Sequence, residues 1–220
     1  MVYDFHTHTM LSDGSLSSME IVRRAMVQGY QAIALTDHVG LGSLETLIWA
    51  STKDCLLAQA RWDIIAIPGV ELTHLPAQAI DETAKQAKAL GARLVVVHGE
   101  TIMEPVEPGT NLAAIQSPHV DILAHPGFIT LAEAKLAAQN GTFLEISARN
   151  GHSLTNGHVL RVALQAGANL LVNSDAHDPP DLLTDAFAHS VARGAGLDDR
   201  LLQEVLLDNP VLLLRKLDLA

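Results

Sequence analysis

Seven short apolar runs, each followed by a turn and then by a stretch with helical spacing, constrain this chain more than any other feature. In order they are MVYDFHTH, QAIALTDH, DIIAIPGVELTH, RLVVVHGE, HVDILAHPG, TFLEISARNG and ANLLVNSDAHDP. Strands linked through helices need parallel neighbours, because a parallel partner is reached only by a crossover, and strands covered on both faces read as near-continuous apolar runs. A closed or nearly closed β/α barrel brings all the strand exits to one mouth, whereas an open sheet spreads them along an edge. Histidines and carboxylates recur at these exits, so the barrel is the expected architecture.

The intervening segments carry helix signals. Ser17 or Ser18 can cap MEIVRRAMVQGY, with Gly29 near its end, and Gly91 closes PAQAIDETAKQAKALGA. Leu, Ile and Ala recur at helical spacing from Ser43 to about Trp62, and shorter helices are expected around Leu112 to Gln116, in LAEAKLAAQNG and in NGHVLRVALQAGA. The stretches DDRLLQEVLLDNP and VLLLRKLDLA read as two helices packing against the outside of the barrel. With no break in composition, residues 1–220 read as a single domain, with C-terminal helices from about residue 180 packed on the barrel.

Composition narrows the partners. The net charge of −11 argues against a long nucleic acid or an anionic membrane as ligand, since those need a basic footprint. No apolar block approaches the ~20 residues needed to cross a bilayer, and the N-terminus lacks the basic start and apolar core of a signal peptide, so a cytoplasmic protein is expected. Cys55 is the only cysteine and reads as a small buried residue in a helix. Eleven histidines, a high count for 220 residues, suit a polynuclear metal site with nearby carboxylates.

His6 and His8 are two apart on a strand, so their side chains share one side while Thr7 faces away, a ready pair of metal ligands. Asp37 and His38, Glu71 and His74, His98, His125, and Asp175 and His177 stand at later exits. Any one of these has an ordinary explanation as a cap, a surface acid or a core histidine. Their joint recurrence at strand ends does not.

Taken together, DFHTHT, LSDG, LTDH, GVE, VVHGE, ILAHPG and NSDAH resemble the polymerase and histidinol phosphatase (PHP) family of metal-dependent phosphoesterases. The similarity runs from Tyr3 to about Asp178. It implies a distorted, TIM-like α/β barrel of seven strands with up to three metal ions at its C-terminal mouth. Carried over by position, it places His6, His8, Glu71 and Asp175 on a first metal. Asp13, His38 and His177 hold a second, and His98 and His125, with Glu71 again, a third. Two or three zinc, manganese or iron ions would suit these imidazoles and carboxylates, and one carboxylate with two oxygens can bridge two cations. Where some members carry a third histidine this chain has Asp13, an oxygen ligand that weakens a preference for zinc.

The implied reaction is hydrolysis of a phosphate ester by metal-bound hydroxide. A small phosphomonoester is the expected substrate, because the chain resembles histidinol-phosphatase-like members more than the form fused to DNA polymerases. Arg149 is the candidate phosphate grip, since a guanidinium can hold two phosphate oxygens, and Asp175 or His177 could protonate the leaving group. Asp37, Glu100 and Glu145 are candidate acids for orienting the imidazoles. His74 and His152 stand between ligand and packing roles, whereas His119, His158 and His189 read as surface or packing residues. The alternatives are a phosphodiesterase or exonuclease acting on nucleotides or short oligonucleotides, and a non-catalytic metal-binding module. An amidohydrolase is disfavoured because no lysine follows a mid-chain strand.

Overall fold

In the computed structural model, which describes all of residues 1–220, the strands are β1 (Val2–Asp4), β2 (Tyr30–Leu35), β3 (His38–Val39), β4 (Ile65–Leu72), β5 (Leu94–His98), β6 (Ile122–Ala124), β7 (Phe143–Ser147) and β8 (Leu170–Asn173). The barrel order is β1-β2-β4-β5-β6-β7-β8, with every neighbouring pair parallel. The expected run of seven is therefore present. The two-residue β3, which no periodicity announces, pairs with the end of β4 and brings His38 into register with Glu71. The ring closes between β1 and β8 only beyond the strands, where His8 N–H donates to the Ala176 carbonyl at 2.8 Å and Asp175 N–H to the His6 carbonyl at 2.9 Å.

Helices α1 (Ser18–Val27), α2 (Leu44–Arg61), α3 (Ile80–Leu90), α4 (Thr110–Gln116), α5 (Leu131–Asn140), α6 (Asn156–Ala166) and α7 (Asp185–Ala195) surround the sheet. Local chemistry sets their ends. The Ser17 hydroxyl accepts from Glu20 N–H, and Thr130 and Glu133 form a reciprocal capping box at α5. Cys55 lies fully buried in α2.

Period two divides the strand residues between two cores. Ile33 and Leu35, Val70 and Leu72, Val95 and Val97, and Leu144 and Ile146 point outward to the helices. Ala32 and Ala34, Ile67, Leu94 and Val96, Ile122, Phe143 and Leu171 fill the barrel instead. Leu213, Leu214 and Leu217 join this inner cluster, so the last helix closes the barrel's N-terminal end. That corrects the expectation for the second of the two terminal helices, whereas Leu201 and Leu202 of the first join the outer cluster. Short α8 (Asp199–Gln203) runs through a wide π-type turn at Glu204–Asp208 into α9 (Asn209–Lys216), where Pro210 lacks the N–H that a regular turn would use. Arg93 donates to the Leu217 carbonyl and Asn209 to the Leu170 carbonyl, tying α9 beneath the strands.

Candidate metal centre

Along several strands the inward-facing column changes character from start to exit. It runs Ile65, Ile67, Gly69, Glu71 on β4, Leu94, Val96, His98 on β5, and Phe143, Glu145 on β7. The apolar members fill the barrel, and the polar members meet at the mouth.

Glu71, with no exposed surface, lies at the middle. Its Oε1 is 3.4 Å from His6 Nε2, 3.3 Å from His98 Nδ1 and 3.5 Å from His125 Nε2. Its Oε2 is 2.6 Å from His38 Nδ1 and 3.7 Å from His8 Nε2. Asp175 Oδ1 is 3.2 Å from His8 Nε2 and 3.7 Å from His6 Nε2. At the outer edge Asp13 Oδ2 approaches His177 Nε2 at 3.2 Å and His38 Nε2 at 3.6 Å, with His8 Nδ1 3.9 Å from Oδ1. All nine expected ligand positions thus meet in one cup. The partition differs from the implied one: His38 groups with Glu71 and His98 as well as with Asp13 and His177, because β3 registers it beside Glu71, while His8 joins Asp13, His38 and His177, and His6 joins Glu71 and His125.

The donor set fits cations better than it fits a hydrogen-bond network. His6 Nε2, both nitrogens of His8 and of His98, Glu71 Oε1 and His125 Nδ1 are buried without a hydrogen-bond partner. Buried polar atoms are ordinarily paired. Ligand atoms on a tetrahedral ion with bonds of about 2.0–2.2 Å sit roughly 3.3–3.6 Å from one another, and eight of the ten separations above lie between 3.2 and 3.7 Å. Backbone conformation tells the same story, since His125 (φ 26°) and Asp175 (φ 54°) occupy the left-handed region that non-glycine residues avoid.

Of the three candidate orienting acids, only Glu145 acts on an imidazole. Its Oε2 accepts from His6 Nδ1 at 2.8 Å and from Asn173 Nδ2 at 3.0 Å, which leaves His6 Nε2 to face Glu71 and Asp175. Asp37 instead accepts from Thr9 N–H and from the Ser12 hydroxyl, each at 2.7 Å, and so shapes the loop that carries Asp13. That loop also needs Gly14, since a Cβ there would strike the His8 carbonyl. Glu100 accepts from Gly109 and Asn111 N–H and fixes the start of α4.

Burial and neighbouring charge set the protonation of the cup. Burial disfavours a charged His6, but Glu145, Asp175 and Glu71 outweigh it and raise its pKa well above the ordinary value. Burial drives His8 the other way, well below. It also pushes Asp175 up to about 8, against the pull of His6 and with Glu71 adding to the rise. Burial would raise Glu145 too, yet His6 and its hydrogen bond bring it down to about 2. Any cation bound here competes with these protons.

Arg149 reaches the rim. Its Nη1 donates to the Asp175 carbonyl at 3.1 Å and lies 3.8 Å from Asp181, while Nε is 3.8 Å from Asp175 Oδ2. His152 is buried against His125, with ring centroids 4.2 Å apart, and burial followed by repulsion from His125 lowers its pKa to about 3. Sequence reading missed Glu104, which faces His74 at 3.2 Å and His98 at 3.6 Å from the loop after β5. No period marks that Pro-rich loop, and a lone glutamate before a proline carries no signal. His158 bonds the Ile129 carbonyl at 2.8 Å, and His119 and His189 lie away from the cup.

Comparison with known proteins agrees with this architecture. Residues 4–140 match the family model described as the PHP domain. A Methanocaldococcus jannaschii protein described as uncharacterized is 49% identical over 218 residues, covering 99% of this chain and 100% of that one. A probable phosphatase of Thermoanaerobacter is 28% identical, covering 91% of this chain and 89% of that protein. Among solved structures, histidinol phosphate phosphatase from Lactococcus lactis, complexed with zinc, L-histidinol and phosphate, superposes with a TM-score of 0.61 at 15% identity, covering 90% of this chain and 94% of that one. At that identity the likeness speaks to the fold.

Proposed function

Because the chain belongs to the PHP domain family, as a metal-dependent phosphoesterase, we propose that its substrate is a small phosphomonoester hydrolysed at the mouth of the barrel. The observation that carries this reading is the gathering of five imidazoles around a single buried carboxylate, Glu71, with one guanidinium beside them.

Cations held by His6, His8, Asp13, His38, Glu71, His98, His125, Asp175 and His177 would supply Lewis acidity, activating water near neutral pH and neutralising charge on phosphoryl oxygens. The chain's own part is placement. Glu71 presents one oxygen to each side of the cup, and Glu145 holds His6 through Nδ1 so that Nε2 points inward. Arg149, anchored on the Asp175 carbonyl, offers its remaining N–H groups to phosphate oxygens. Asp175 and His177, on the same edge as Arg149, are the groups assigned to proton delivery at the leaving oxygen.

Charge around the mouth favours a small ester over a polymer. Of the 14 lysines and arginines, Arg149 alone lies on a segment following a barrel strand; the others lie on helices or, for Arg93, at the start of β5. A nucleic-acid backbone would find one cation to grip. No helix is long and apolar enough to cross a membrane.

The test is turnover by metal-stripped and manganese-loaded protein on a panel of phosphomonoesters, histidinol phosphate included, beside a panel of nucleotide diesters. Monoester hydrolysis that depends on added metal is expected, with Arg149→Ala raising KM more than it lowers kcat. Faster diester turnover would replace the substrate assignment. Bound metal without turnover of either class would leave a metal-holding module.

A further inference from the structure

On the β4–β5 side of the cup, a second set of donors faces a different carboxylate. Glu104 Oε2 is 3.2 Å from His74 Nε2 and 3.6 Å from His98 Nε2, and its Oε1 is 3.9 Å from His152 Nε2. Ligand atoms of His74, His98 and Glu104 all lie within 4.8 Å of one another. None of these approaches has the alignment of a hydrogen bond, although the shortest is close enough for one.

Two further observations point to a ligand. His98 is 3% exposed and Nε2 has no partner, so a buried ring nitrogen is aimed outward at Glu104 with nothing to receive it. His152 Nδ1 is bonded to the Thr101 hydroxyl at 2.7 Å, which turns Nε2 toward the same carboxylate. His74 meanwhile sits at φ 53°, a left-handed conformation that is costly for a histidine, with its ring centroid 4.8 Å from that of His98. His74, His98 and Glu104 make a three-donor set for a divalent cation of the zinc class, and His152 Nε2 faces the same carboxylate at 3.9 Å.

We propose that His74, Glu104 and His98 Nε2, with His152 at the fourth corner, form an outer cation site beside the centre described above. A neutral imidazole has one lone pair, so His98 serves an outer ion through Nε2 or an inner one through Nδ1, and not both. The outer site therefore competes with the inner centre for His98. Excess metal draws that ring outward while Glu71 and His125 keep the inner ion in place, so turnover slows at an unchanged inner count and the site acts as a metal-level brake.

The experiment counts zinc bound per chain, by mass spectrometry of the element, after metal-stripped protein is equilibrated with graded zinc. His74 and Glu104 have side chains 49% and 42% exposed, so His74→Ala and Glu104→Ala leave the core untouched. At saturation the wild type should hold one more zinc than either variant, while the tightly bound inner complement is the same in all three. Folded Glu71→Gln, which lacks the shared inner carboxylate, should keep the outer zinc. Inhibition by zinc beyond the inner complement should be present in the wild type and lost in both outer-site variants. Equal zinc content in the wild type and both variants would overturn the proposal, as would complete loss of zinc from folded Glu71→Gln.

Discussion

The two ends of the barrel are built by the same strands from opposite materials. At the N-terminal end the inward positions are Leu94, Ile122, Phe143 and Leu171, sealed by Leu213 and Leu214 of α9 and by Leu217 just after it into a dry floor. At the C-terminal end the same columns present Glu71, His98 and Glu145, and buried nitrogens and oxygens stand without hydrogen-bond partners. Burial of apolar area at the floor is favourable by roughly 25 cal/mol per Å², whereas each unpaired polar group at the mouth costs about 1–3 kcal/mol. Of the two ends the floor is therefore the one that adds stability to that of the outer core, and the mouth retains a polar cluster that a cation would repay.

This contrast can be broken at either end. The largest effect is expected from Glu71→Gln, which takes the charge from the one carboxylate facing five imidazoles. It should cost more than one bound inner metal and nearly all turnover, about a hundred- to a thousandfold being the range of lost electrostatic catalysis. Full inner metal content in that variant would remove Glu71 from its bridging role. Leu213→Ala, at a fully buried floor position, should instead lower unfolding free energy by about 2–5 kcal/mol while metal content stays unchanged. Denaturant unfolding and metal analysis of the same sample separate the two ends. If the floor variant loses metal in proportion to stability, the ends are not independent.

The floor and the mouth also differ in how much of each was legible in sequence. Period-two columns such as Ile65, Ile67, Gly69, Glu71 declare both the apolar lining and the ligand beyond it, so the barrel was open to inspection, whereas the full set of nine side chains, with Asp13 in its loop, rested on the resemblance to the PHP family. The role of α9 was not, because an amphipathic helix reveals an apolar face but not the surface it covers. Asp37 and Glu100 were misassigned for a related reason: a carboxylate near a strand exit can hold a loop or a helix start as readily as an imidazole. Glu104 stayed hidden because only the folded loop brings it to His74 and His98.

Smaller changes sharpen the comparison from inside the mouth. Glu145→Gln keeps an acceptor for His6 Nδ1 but removes its charge, and metal affinity should fall about 10–100-fold with little change in stability. Competition with a chelator of known affinity measures the drop; an unchanged affinity would show that Glu145 is only a packing partner.

The smallest effect belongs to Asp4, buried just below the cup with Oδ2 unpartnered. Burial raises its pKa to about 7 even though Ser174 and His6 N–H groups pull it down. Because the folded value lies above the unfolded one, the folded chain holds the extra proton between about pH 4 and 7 and loses the associated stability as pH rises through 7. Metal-stripped Asp4→Asn should accordingly melt a few degrees above the wild type at pH 8.5, with the gap closing near pH 5. A gap independent of pH would assign the effect to packing rather than to the proton.

Strand-end side chains from β1 to β8 meet around Glu71, in a cup whose donors fit cations. Anomalous diffraction from crystals of manganese-loaded protein tests this fit directly. At least two peaks are expected within coordination distance of Glu71, with His6 and His125 among their neighbours. Well-ordered Glu71, His6 and His125 with no anomalous peak between them, in protein saturated with manganese, would contradict it.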